Sequence, residues 1–84
     1  MSRPKKHSLT LGGHRTSVSL EDEFWQAFRE IARAQGCGIN ELAAEIDAAR
    51  GVEAGLATAI RLHVLGYYRA RVANSKPPRT TSSQ

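Results

Sequence analysis

His14-Arg15-Thr16-Ser17-Val18-Ser19-Leu20 alternates strictly, and its reading decides the fold. Successive side chains of a strand point to opposite faces, so Thr16, Val18 and Leu20 share one side and Arg15, Ser17 and Ser19 the other. One face is apolar and the other rich in hydrogen-bond donors. Directly after it come Glu21-Asp22-Glu23, three acids suited to the positive end of a helix dipole. Read alone, this segment is a single strand with unpaired backbone groups, which does not stand by itself in water. A second copy of the chain would complete it as a two-stranded antiparallel ribbon about a two-fold axis. Such a ribbon, with Arg and hydroxyl groups outside, has the width and chemistry to enter the major groove of DNA.

Upstream, Leu9 and Leu11 alternate with Ser8 and Thr10 just before Gly12-Gly13. Residues 1–12 are therefore either a basic flexible arm or a short extra strand closing a hairpin on the glycine turn. Downstream, three segments have helical character. The first starts at Glu21-Asp22-Glu23 and runs to Gly36, with Phe24, Phe28, Ile31 and Gln35 on one stripe. The second starts near Gly38, with Ile39, Leu42, Ala43 and Ile46 inward and Glu41 placed as in a capping box whose cap is glycine. The third runs from about Glu53 to Val72, with Val52, Leu56, Ala59, Ile60, Val64 and Tyr67 as its stripe. Leu62, Leu65 and Tyr68 widen that stripe beyond what one neighbour buries. Residues 13–72 are thus read as the folded domain. Residues 73–84, rich in Ser, Thr and Pro, are expected to form a disordered tail.

Eighty-four residues make one domain at most, of a size that often leans on oligomerisation. The net charge of +4 is unevenly placed. Arg3, Lys5, Lys6 and Arg15 stand in residues 1–15 without any acid, whereas residues 16–72 hold all eight acids against six arginines. A positive end on an otherwise acidic body fits an approach to phosphates, and a solvated tail is the plainer reading of the arm. Cys37 is the only cysteine, which excludes an intrachain disulfide and favours the cytoplasm. No run approaches the roughly 18 apolar residues of a membrane span.

No catalytic site, metal site or cofactor is expected. His7, His14, His63 and Cys37 lack the short spacing of metal ligands, and His63, beside an apolar stripe, reads as a packed residue. Cys37 lies between two glycines with no adjoining base to lower its pKa. Glu41 and Glu45 read as a solvated helix face, and Gly12-Gly13 as a turn.

The order of strand, acid-started helix, glycine turn and second helix from Gly13 to Tyr68 resembles the ribbon-helix-helix DNA-binding family, familiar from the Arc and Met repressors. It also resembles a group of short bacterial proteins with that domain, in segments like His14–Glu21, Phe24-Trp25, Asn40-Glu41-Leu42 and Ile46-Asp47. The resemblance implies a mainly α fold with one β-strand per chain. It implies an intertwined homodimer with an intermolecular two-stranded ribbon, to which an extra C-terminal helix is added here. It implies a sequence-specific binder of double-stranded DNA acting as a transcriptional repressor. Base reading would fall to Arg15, Ser17 and Ser19, with Arg15 foremost because Arg can bond guanine through two donors. Phosphate binding would fall to the backbone of Gly38, Ile39 and Asn40, aided by Lys5 and Lys6. Val18, Leu20, Phe24, Phe28, Ile31, Leu42 and Ile46 would form the dimer core. Gly38 departs from the Ser or Thr that many members carry there, which removes a side-chain contact to phosphate. Two alternatives stay open: the antitoxin of a toxin–antitoxin pair, and a protein-interaction module that works through its third helix. That helix would also serve a higher oligomer or a protein partner.

Overall fold

A computed structural model describes residues 3–50 and 55–75. Two strands open the chain, β1 (Lys5–Leu11) and β2 (His14–Leu20), and three helices follow, α1 (Asp22–Gln35), α2 (Ile39–Ala49) and α3 (Leu56–Ser75). The strands pair antiparallel with each other, from Leu11↔His14 beside the turn to Lys5↔Leu20 at the base. Gly12 and Gly13 join them with φ of 56° and 86°. A two-residue hairpin loop that matches the strands' twist needs positive φ at both positions, and glycine adopts it without a steric penalty.

This corrects the expectation of one strand per chain. The mate of the alternating segment is the upstream Ser8–Leu11 pattern, extended back to Lys5, and the chain itself completes the ribbon. The argument for a second copy, an unpartnered strand, falls away. Leu9 on β1 is 1 % exposed and Val18 on β2 is 4 % exposed, so the hairpin's inner face closes on the helices.

Helix α1 starts where its acids predict, with Asp22 and Glu23 in the first turn and Arg33 in the last. It stops at Gly36, whose φ of 73° lets the chain turn back. The Gly36 N–H donates to Arg33 O at 3.1 Å and the Cys37 N–H to Ala32 O at 3.0 Å, a Schellman end. Gln35, placed on the apolar stripe by its spacing, is exposed, and Ala32 takes the last buried position. Helix α2 starts after Gly38, with Leu42, Ala43 and Ile46 inward. Helix α3 continues to Ser75, three residues past the expected end at Val72. Val52, counted on its stripe, and residues 76–84 of the expected tail lie outside the described residues.

One core takes side chains from every element: Leu9, Val18, Leu20, Phe28, Ile31, Ala32, Leu42, Ala43, Ile46, Ile60 and Val64. Six of the seven residues expected in a dimer core close over one another within this single chain. The seventh, Phe24, is half-buried beside them. Helix α2 packs on β1, while α3 packs on β2, α1 and α2, so the hairpin is backed along its length.

Candidate nucleic-acid interface

The hairpin's outer face is set by the turn. In a two-residue hairpin the pair flanking the loop, Leu11 and His14, exchanges hydrogen bonds, and bonded and non-bonded pairs then alternate. Lys6↔Ser19, Ser8↔Ser17 and Thr10↔Arg15 are therefore non-bonded pairs, whose side chains approach most closely. All six residues are exposed. They form three rungs about 6.8 Å apart along the ribbon, so the face spans about 14 Å. Two rungs carry a cation at one end, and every other position carries a hydroxyl. The face holds neither an acid nor an aliphatic side chain beyond the Thr10 methyl.

Arg15, Ser17 and Ser19 thus lie on one strand edge of this surface, where the alternation placed them. Ser8 and Thr10 on the facing strand share this face, a placement that their alternation with Leu9 and Leu11 signals. Lys6 belongs to the face. Lys5 does not: it turns to the start of α1, and its Nζ lies 3.4 Å from Asp22 Oδ2.

Two long-range contacts fix the ribbon to the helices. Near the turn, the Thr10 N–H donates to Asn40 Oδ1 at 2.9 Å, which ties β1 to the first turn of α2. At the base, the Arg61 guanidinium of α3 donates to both carboxylate oxygens of Glu21, at 3.0 and 3.2 Å. Arg61 also lies 5.9 Å from the Phe24 ring centre and donates to Ser19 O at 3.4 Å. Glu21 is 16 % exposed, so this two-pronged pair is largely shielded from water.

At the start of α2, expected to clamp a phosphate through the backbone of Gly38, Ile39 and Asn40, one of the three donors is taken. Glu41 Oε1 accepts the Gly38 N–H at 2.9 Å, while Asn40 uses its side-chain Oδ1, not its N–H, to hold Thr10. A carboxylate on that N–H competes with any phosphate for the same donor and repels it. Cys37, half-buried beside it, has its thiol pushed up from the ordinary value by desolvation and by the Glu41 and Glu45 carboxylates. That is the reverse of an activated nucleophile. Among the described residues no group of His, Cys, Asp and Glu is placed to hold a metal ion. No helix among them is long and apolar enough to cross a membrane.

Helix α3 leaves a separate apolar face. Leu62, Leu65 and Val72 are 60, 50 and 63 % exposed, and Leu65 and Val72 border a shallow groove with Tyr68, Arg69 and Ala73. Tyr68 leans back toward α1, its hydroxyl 3.3 Å from Glu30 Oε1. Partial burial and the Glu30 carboxylate together raise the pKa of that phenol.

No curated protein and no solved structure shows significant similarity to the chain. The sequence model of the ribbon-helix-helix domain matches residues 4–68, from the residue before β1 to Tyr68 of α3. The chain therefore belongs to the ribbon-helix-helix domain family, which consists in general of DNA-binding transcription regulators that dimerise and is not a family of enzymes.

Proposed function

We propose that this protein is a sequence-specific DNA-binding repressor that sets the outer face of its hairpin into the major groove. The observation that carries the reading is the composition of that face: Lys6, Ser8, Thr10, Arg15, Ser17 and Ser19, all exposed, on a ribbon backed by helices. A two-stranded ribbon fits the major groove, where base edges differ for every base pair. Arg15 stands at the turn end and offers a planar fork for guanine O6 and N7. The hydroxyls donate or accept and read bases directly or through water. Lys6, near the base, would meet a backbone phosphate, a contact that positions the protein without reading sequence.

Dimerisation then draws on the exposed face of α3, the apolar surface the fold leaves open. The same face, Leu62, Leu65 and Val72, is the one observation that favours a second reading, a module or antitoxin that binds a protein partner there.

Fluorescence anisotropy of a duplex from the gene's own upstream region, with excess random competitor at near-physiological salt, tests the proposal. Arg15→Ala should weaken specific binding by about 5- to 150-fold, as expected for losing a bidentate base contact of about 1–3 kcal/mol. Binding to random duplex should change little. Equal losses on both duplexes would make Arg15 a phosphate contact. An unchanged affinity, with a partner captured through α3, would favour the second reading.

A further inference from the structure

We propose that the exposed face of α3 is a helical seam that pairs antiparallel with the same seam of a second copy of this chain. Such pairing deepens the dimerisation reading given above for α3, on which it rests, and is independent of DNA binding. Thr58, Leu62, Leu65, Arg69 and Val72 follow one another at steps of four, three, four and three residues, and all five are exposed. Steps that average 3.5 residues are the repeat by which one helix packs along another. Ile60 and Val64, which α3 gives to the core, project from its other side. The helix thus has two apolar sides, and the fold of the chain covers one. On the open side Leu65, Tyr68, Arg69 and Val72 border the groove, at i, i+3, i+4 and i+7. Four residues so spaced form the hole that receives one side chain of a neighbouring helix. Gly66 flanks the seam, and a Cβ added there would meet nothing within 4 Å, so packing inside the chain does not call for a glycine. Glycine weakens a helix interior, and beside the seam it lets a second helix come close.

Charge selects the occupant and its direction. Helix α3 holds Arg61, Arg69 and Arg71 and no acid. Arg61 is bound to Glu21 and Arg71 lies 5.7 Å from the Tyr67 ring centre, while Arg69 is the one charged residue of the seam. A parallel pair would set Arg69 on Arg69. An antiparallel pair about a two-fold axis level with His63 and Val64 sets Leu62 on Leu65 twice and Arg69 over Thr58, whose hydroxyl can accept from it. The two Arg69 residues then stand 11 positions, about 16 Å, apart along the helices. An acidic partner would find a single cation in this seam, whereas a second copy matches leucine with leucine and the cation with a hydroxyl. Residues 56–71 of the two copies overlap over about 24 Å. One such helix pair is a small interface, under the about 1,200 Å² typical of stable complexes, so it acts at high concentration or between copies already joined elsewhere. The seam faces away from the core, so it is compatible with dimerisation through the ribbon and would then join dimers.

Two measurements on the full chain test the pairing. Leu65→Glu changes an exposed position and should keep the parent's circular dichroism, while the mass at high concentration, by sedimentation equilibrium, falls to half or less. A mass that Leu65→Glu leaves unchanged would overturn the seam and assign dimerisation to another face. A parent that is monomeric at every concentration would overturn the seam and the dimerisation reading together. In a Cys37→Ser background, Thr58→Cys combined with Arg69→Cys and oxidised with glutathione disulfide should run mainly as a covalent dimer on a non-reducing gel. Each single cysteine variant should stay monomeric, because antiparallel pairing keeps like positions apart. A covalent dimer from either single variant would mean parallel pairing and overturn the proposal, as would its absence from the double variant. Anisotropy with labelled duplex judges the DNA reading separately.

Discussion

Leu9→Ala separates a structural first strand from a mobile basic arm. Leu9 is 1 % exposed and faces Thr16 across the hairpin, above a core that reaches Ile60 and Val64 of α3. The substitution removes three carbons from a closed site. At about 0.8 kcal/mol per buried carbon the transfer loss is about 2.4 kcal/mol, and incomplete collapse of the cavity adds about 1 kcal/mol. A loss of about 3.5 kcal/mol is a large part of the stability of a chain this short, about 4–12 kcal/mol at the usual value per residue. Urea unfolding followed by far-UV circular dichroism reads it directly. With a slope near 1.2 kcal/mol/M, the midpoint falls by about 3 M. Leu9→Val, a milder truncation costing about 1 kcal/mol, keeps the measurement possible if the alanine variant is unfolded from the start. Ser8→Ala, one residue away on the exposed face, serves as the control and should stay within about 0.5 kcal/mol of the parent. A change of less than about 0.5 kcal/mol for Leu9→Ala would refute the reasoning, because residues 5–11 would then not be packed on the core.

Gly12, with φ of 56°, should tolerate Asn, which visits the left-handed region. Gly12→Val should lower the melting temperature by several degrees, since a β-branched residue there is strained by about 1–2 kcal/mol. Glu41→Ala frees the Gly38 N–H and removes a negative charge from the start of α2, so affinity for specific and random duplex should rise together and become more salt-dependent, as anisotropy at several salt concentrations will show. The raised pKa of Cys37 leaves less thiolate at any given pH than an ordinary cysteine has. Alkylation by iodoacetamide at pH 7.5 should accordingly be slower in the native protein than in urea, with the native rate climbing only at higher pH.

Local features of this fold could be read from the sequence, and contacts between distant residues could not. The bounds of α1 follow from Glu21-Asp22-Glu23 and from Gly36, because dipole charges and a left-handed stop are properties of neighbouring residues. Arg15, Ser17 and Ser19 share a face because strand alternation alone decides it. The mate of β2 was harder to identify. Ser8–Leu11 and Gly12-Gly13 carry a hairpin signal, yet the basic residues before them and the family resemblance both pointed to a free arm and a second chain. Spacing also put Gln35 on the apolar stripe, where the helix end leaves it in solvent. Nothing local announces that Asn40 serves Thr10, 30 residues back, or that Arg61 grips Glu21, 40 residues back. Those contacts exist only once α2 and α3 have docked, whereas the bond from the Gly38 N–H to Glu41 spans three residues and follows from the capping-box spacing.

The grip of Arg61 on Glu21 also bears on how the chain comes together during synthesis. The hairpin and first two helices leave the ribosome well before α3, with the inner side of β2 and much of α1 still waiting for Ile60 and Val64. Translation near 5–20 residues per second leaves that interval at about a few seconds, long against the microseconds in which hairpins and helices form. The nascent ribbon can therefore be in place early, and its anchorage to the body is settled only when the last helix arrives.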